Sequence, residues 1–100
     1  MELTIGFSTC PNDTFIFDAM VNGKIDTGKL RFKQKLADVE ELNNRAFNGE
    51  YDITKISFHA FAYIAKQYLL LNSGSALGFN NGPLLVGRKN YNFSDINVRI

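Results

Sequence analysis

From Leu3 to Phe7 the apolar residues Leu3, Ile5 and Phe7 alternate with small or polar ones, and a Ser-Thr-Cys-Pro-Asn-Asp loop follows at once, which predicts a first strand and a tight connection. A helix is expected to start there: Asn12 or Asp13 can accept the free backbone N–H groups of its first turn, and Phe15, Ile16, Ala19 and Met20 share one face until Asn22-Gly23 closes it. Lys29 to Leu36 then sets Leu30, Phe32 and Leu36 against Lys29, Arg31, Lys33 and Lys35 at a period of two, the pattern of a half-buried strand with a basic outer face. Asp38 to Glu41 has the form of a capping box, and Val39, Leu42 and Ala46 carry an amphipathic helix to Asn48-Gly49. A third strand is expected over Tyr51 to Ser57, with Ile53 and Ile56 as its apolar residues. A third helix follows, with Phe58, Phe61, Ala62 and Ala65 on one face and Ser57 at or beside its N-cap.

Beyond it, Tyr68 to Leu71 suits a strand buried on both faces, Asn72 to Gly78 a loop or extended segment, and Leu84 to Val86 another short strand. Val98-Arg99-Ile100 begins like a strand and stops. Strands alternating with helices predict an α/β fold in which βαβ crossovers build a mostly parallel sheet flanked by helices, with sites at the carboxyl ends of the strands.

Composition narrows the classes. The 100 residues are 45% hydrophobic and 21% charged, with nine Phe and four Tyr, enough for one core and no more than one domain. Eleven Lys and Arg against ten Asp and Glu give a net charge of +1, so nothing global points to nucleic acid or an anionic membrane as partner. The uncharged stretch from Gln67 up to Arg88 is interrupted by Asn, Ser, Gly and Pro, so no segment reaches the roughly 20 apolar residues of a membrane span. Met1-Glu2-Leu3 lacks the basic start of a secretory signal, and with one cysteine, Cys10, there is no disulfide framework; the cytoplasm is the expected compartment.

In a parallel sheet the loops that follow strands share one edge, so Ser8 to Asp13 and Lys55 to Ser57 are expected to converge there. Helix N-termini, the neutral groups of Ser8, Asn12 and Ser57, and the cation of Lys55 would suit a carboxylate or a small polar ligand. The competing account is structural, with Asn12, Asp13 and Ser57 closing helices and Lys55 in solvent. The Lys29, Arg31, Lys33, Lys35 stripe is accounted for by a solvated face, which also blunts an edge strand. His59 has no carboxylate nearby in sequence to orient it and is read as a surface or packing residue, and Cys10 has no adjacent His and is read as a small packed thiol. Phosphate-binding glycine motifs and metal-ligand spacings are absent, which disfavours nucleotide and metal cofactors.

The stretch Ile5-Gly6-Phe7-Ser8-Thr9-Cys10-Pro11-Asn12-Asp13-Thr14-Phe15-Ile16-Phe17-Asp18-Ala19 resembles the opening of the 1,4-dihydroxy-6-naphthoate synthases of the futalosine route to menaquinone. Matches continue through Ala37-Asp38-Val39-Glu40-Glu41-Leu42-Asn43, Asp52-Ile53-Thr54-Lys55-Ile56-Ser57, Ser73-Gly74-Ser75-Ala76-Leu77-Gly78 and Gly82-Pro83-Leu84-Leu85-Val86. Thr9 departs from the family's usual Ser-Pro-Cys-Pro-Asn-Asp opening.

The resemblance implies a two-lobed fold of the periplasmic-binding-protein type 2 class and a lyase that converts cyclic dehypoxanthinylfutalosine, which carries an aromatic carboxylate, to 1,4-dihydroxy-6-naphthoate without a cofactor. It implies that Lys55, Ile56 and Ser57 contact the substrate. It also implies that no catalytic residue lies in these 100 residues, since family chains are well over twice as long and their proton-accepting histidine falls beyond Ile100; His59 does not match it. On this reading residues 1–100 are most of the first lobe, and the second lobe is the missing partner. The alternatives are a non-catalytic solute-binding or sensor lobe of the same fold, and the related chorismate dehydratase activity.

Overall fold

A computed structural model describes residues 1–80. The N-terminal alternation forms β1 (Glu2–Phe7), and the strongly basic alternation forms β2 (Arg31–Leu36), two residues shorter at its start than expected. Between them runs α1 (Pro11–Val21). Then come α2 (Val39–Phe47), the two-residue β3 (Ile53–Thr54) and α3 (Phe58–Ile64). Among the described residues the sheet has three strands in the order β2-β1-β3, all parallel, with Glu2 opposite Arg31, Phe7 opposite Leu36, and Ile5 and Gly6 opposite Ile53 and Thr54. This is the expected α/β arrangement, though β3 is far shorter than Tyr51 to Ser57.

Registered neighbours in a parallel sheet share a face, which sorts the layers. Leu3, Ile5 and Phe7 face α1, where Phe17 lays its ring against that of Phe7 at a centroid distance of 4.9 Å. On the opposite face α2 and Tyr51 press against β1. A Cβ added at Gly6 would lie 2.9 Å from two ring carbons of Tyr51 and 3.1 Å from a methyl of Leu42, so the absent side chain is what lets this layer sit down. Ile5, Phe7, Leu42, Ala46, Tyr51, Ala60 and Ile64 form the core. Arg31, Lys33 and Lys35 share the α2 face of the sheet and stay exposed on β2.

The helix ends show where local signals were sufficient. Asp38 caps α2 as expected, its side chain accepting from Glu41 N at 2.8 Å, although Glu41 turns its own carboxylate to Arg45 instead of back to the cap. Ser57 caps α3 through Ala60 N at 3.0 Å. In α1, however, neither Asn12 nor Asp13 is the cap: Cys10 occupies that position without a side-chain cap bond, and Pro11, whose ring presets a helical φ and which has no N–H to satisfy, starts the helix.

Two expected faces also move, and one expected strand does not form. The sheet-facing side of α1 is centred on Asp13 and Phe17, leaving Phe15 86% exposed and Ile16 at the surface. The buried residues of α3 are Ala60 and Ile64, with Phe58 and Ala65 outside, because the Ser57 cap fixes which side of the first turn meets α2. Tyr68 to Leu71 is not a strand: it has no partner among the described residues, Leu69 to Leu71 are exposed, and Tyr68 is tethered by its hydroxyl, which donates to Tyr51 O at 2.7 Å. Asn72 to Gly78 is irregular as expected. The strands expected at Leu84 to Val86 and Val98 to Ile100 lie outside the described residues. Among the described residues no helix is long and apolar enough to cross a membrane.

Candidate functional site

The strand order creates the site. The chain leaves β1 for β2 on one side and later returns to β3 on the other, so the connections after β1 and β3 diverge and leave a crevice at the carboxyl ends of those two strands. Backbone pairing carries the geometry to the rim, where Lys55 N donates to Gly6 O at 2.8 Å. The two loops are then joined by charge. Lys55 Nζ lies 2.5 Å from Asp13 Oδ1, while Asp13 Oδ2 accepts from the hydroxyl of Ser8 at 2.7 Å and from its backbone N–H at 3.1 Å. Ser8 Oγ in turn accepts from Cys10 N at 3.2 Å.

Asp13 is 3% exposed and Ser8 7%, so this cluster is interior, whereas the Lys55 side chain keeps 28% of its surface. Burial by itself would raise the Asp13 pKa, but hydrogen bonds from Lys55 and Ser8 and the charge of Lys55 outweigh it and hold the carboxyl below its ordinary value. The carboxylate is therefore ionised at neutral pH, and the Asp13–Lys55 pair carries no net charge.

Beside the pair is a cavity of about 860 Å³, a size that accommodates a small organic molecule. Asp13, Phe17, Lys55, Ile56, Ser57 and Phe61 contribute to its lining, as does Gly74, which lies against the Phe17 ring. Of the residues singled out in the sequence, Lys55, Ile56 and Ser57 reach the cavity together. Ser8 stands one hydrogen bond behind it, its single hydroxyl proton given to Asp13. Asn12 is exposed on the first turn of α1 and is not among the lining residues.

At Ser57 capping does not use up the hydroxyl. Its oxygen accepts the capping bond from Ala60 N, which leaves the hydroxyl proton available to a ligand. Asn43 Oδ1 holds the Ser57 backbone N–H at 3.3 Å, so α2 helps to place this loop. Thr54, also on the lining, has its hydroxyl oxygen buried without a hydrogen-bond partner among the described residues. Asp13, Asn43 and Thr54 join the site only through the tertiary structure. For Asp13 the available signal was an acid in the third position of a helix that follows directly on a strand, which short-range capping also explains.

His59 stacks edge-on with Tyr63 at 5.3 Å and is exposed, and Cys10 is exposed and not a packed thiol. Among the described residues no group of three His, Cys, Asp or Glu side chains could hold a metal ion.

Similar proteins place this arrangement in a biological setting. The chain is 46% identical over 86 residues to the 1,4-dihydroxy-6-naphtoate synthase of Thermus thermophilus, a match covering 86% of this chain and 31% of the relative. It is 39% identical over 87 residues to the enzyme of the same name from Streptomyces coelicolor, covering 87% of this chain and 30% of that one. Thus the chain spans less than a third of the length of these curated relatives. The crystal structure of protein AF1704 from Archaeoglobus fulgidus superposes with a TM-score of 0.76 at 37% identity, covering 81% of this chain and 30% of that one. Residues 3–99 match the profile of a family described as menaquinone biosynthesis, and the chain belongs to that family.

Proposed function

We propose that these residues are the substrate-orienting part of a 1,4-dihydroxy-6-naphthoate synthase, a lyase that converts cyclic dehypoxanthinylfutalosine to 1,4-dihydroxy-6-naphthoate in the cytoplasm without a cofactor. The observation that carries this reading is the joint arrival of Lys55, Ile56 and Ser57 at a cavity on the switch point of the sheet, in a chain of the menaquinone biosynthesis family. The sheet with its flanking helices is most of the first lobe of a periplasmic-binding-protein type 2-like fold. A second lobe encloses the substrate and supplies the proton-accepting histidine.

The chemistry available here is binding and orientation. Ser57 can donate its hydroxyl proton to the aromatic carboxylate of the substrate, Lys55 can donate from the ammonium protons that Asp13 does not take, and Ile56 and Phe61 supply apolar surface for the ring. Ser8 supports this site from behind, through Asp13.

The test is turnover of cyclic dehypoxanthinylfutalosine by the complete gene product, followed by chromatography of the naphthoate formed. Dehydration of chorismate in its place, or saturable ligand binding with no product from either compound, would replace the proposal with one of its alternatives. In the active protein, Ser57→Ala should weaken substrate binding by about 1.5 to 3 kcal/mol if the hydroxyl meets the carboxylate. A loss confined to unfolding free energy would leave Ser57 as a cap alone.

A further inference from the structure

Asp13 is the least exposed carboxylate among the described residues, and both of its oxygens are committed, Oδ2 to Ser8 and Oδ1 to Lys55. Lysine, by contrast, carries a compact charge on a flexible stem of four carbons, and at a surface such a side chain samples many rotamers. Here its position is dictated. One ammonium proton goes to Asp13, and among the described residues no other acceptor takes the remaining two, while the side chain lies on the cavity wall.

We propose that Asp13 is a positioning residue for Lys55: anchored by Ser8, it fixes the ammonium at the cavity wall with two donors to spare and cancels its charge. Lys55 then selects an oxygen acceptor of the ligand by direction and distance, and long-range attraction for any passing anion is suppressed. This rests on the reading that Lys55 contacts the substrate. It adds that Ser8 and Asp13 act on the substrate only through Lys55. A purely structural role, in which the ion pair merely ties α1 to the rim of β3, makes a different statement, because its loss would act on stability and on every lining residue alike.

The experiment uses the complete gene product with cyclic dehypoxanthinylfutalosine and the variants Asp13→Asn, Lys55→Met, their combination, and Ser8→Ala. Asp13→Asn should raise KM on the order of 10- to 100-fold with a smaller change in kcat, and should make KM sensitive to ionic strength, since it uncovers the lysine charge. In the Lys55→Met background the same change should leave KM where it was. Ser8→Ala, which keeps the charge pair, should give an intermediate rise. An undiminished effect of Asp13→Asn without Lys55 would overturn the proposal.

A readout independent of turnover separates this from the assigned activity. With side-chain ¹⁵N-labelled lysine, the Lys55 ammonium should give an NMR signal protected from exchange that disappears in Asp13→Asn. Its persistence in that variant refutes the positioning role even if the enzyme is active. An inactive wild-type protein that loses this signal in Asp13→Asn refutes the activity while supporting the anchoring of Lys55.

Discussion

Gly6 and Asp13 are each held in place by neighbours remote in sequence. At Gly6 the limit is steric: Tyr51 and Leu42 leave no room for a methyl group, and both are core residues that cannot swing into solvent without opening the sheet. Gly6→Ala should therefore destabilise the fold by about 1 to 3 kcal/mol, the usual range for overpacking, measured by urea denaturation. Truncation of the Tyr51 ring in the same chain should recover part of that loss, because the clash is with the ring itself. At Asp13 the constraint is electrostatic. Its carboxyl titrates lower in the folded protein than in the unfolded chain, so between the two values the unfolded chain binds more protons and stability rises with pH. The contribution is complete above the unfolded value of about 4 and disappears as pH falls through the lower, folded value. Urea midpoints measured down an acid series should thus drop more steeply for the native chain than for Asp13→Asn. Parallel curves would show that the pair adds nothing to folding.

Among the elements, α2 was legible from its cap and from Leu42 and Ala46 because these determinants are local, although Val39, expected on the same apolar face, is 53% exposed. Asp38 caps a residue three positions away, and the buried Leu42 and Ala46 lie one turn apart. Asp38→Ala should cost about 0.5 to 2 kcal/mol of unfolding free energy and leave substrate affinity unchanged, since Asp38 is exposed and does not line the cavity. An effect on affinity would mean that α2 transmits strain to Ser57 through Asn43. The faces of α1 and α3 were less legible. In α1 two stripes compete, one through Phe15 and Ile16, the other through Asp13 and Phe17, and only the ring of Phe7 waiting on the sheet decides between them. The site divides in the same way. Lys55 to Ser57 could be placed from the rule that loops after parallel strands share an edge, whereas the partner of Lys55 could not, because Asp13 already had a sufficient local explanation as a helix cap. Ion pairs across a sheet edge leave no periodic trace in the sequence. The Tyr68 to Leu71 run shows the reverse, since apolar bulk predicts burial there but the described residues supply no neighbouring strand to provide it.

For the molecule as a whole, the arrangement of strands has a temporal side. The first strand in the chain is the central one in space, and its partners are Arg31–Leu36 on one edge and Ile53–Thr54 on the other. A chain emerging from the ribosome exposes β1, with its apolar Ile5 and Phe7, before either partner strand, and can bury neither side until those later segments arrive. The contacts that close the sheet are long-range, such as the bond from Thr4 N to Asp52 Oδ2 across 48 positions, and long-range closure slows folding because loop entropy must be lost before the contact forms. Lys55 follows β3 directly, so its meeting with Asp13 cannot precede the docking of that strand. Assembly of the cavity wall thus waits for β3 to dock, and a nascent chain that stalls before that step presents a bare apolar strand edge without the Asp13–Lys55 pair.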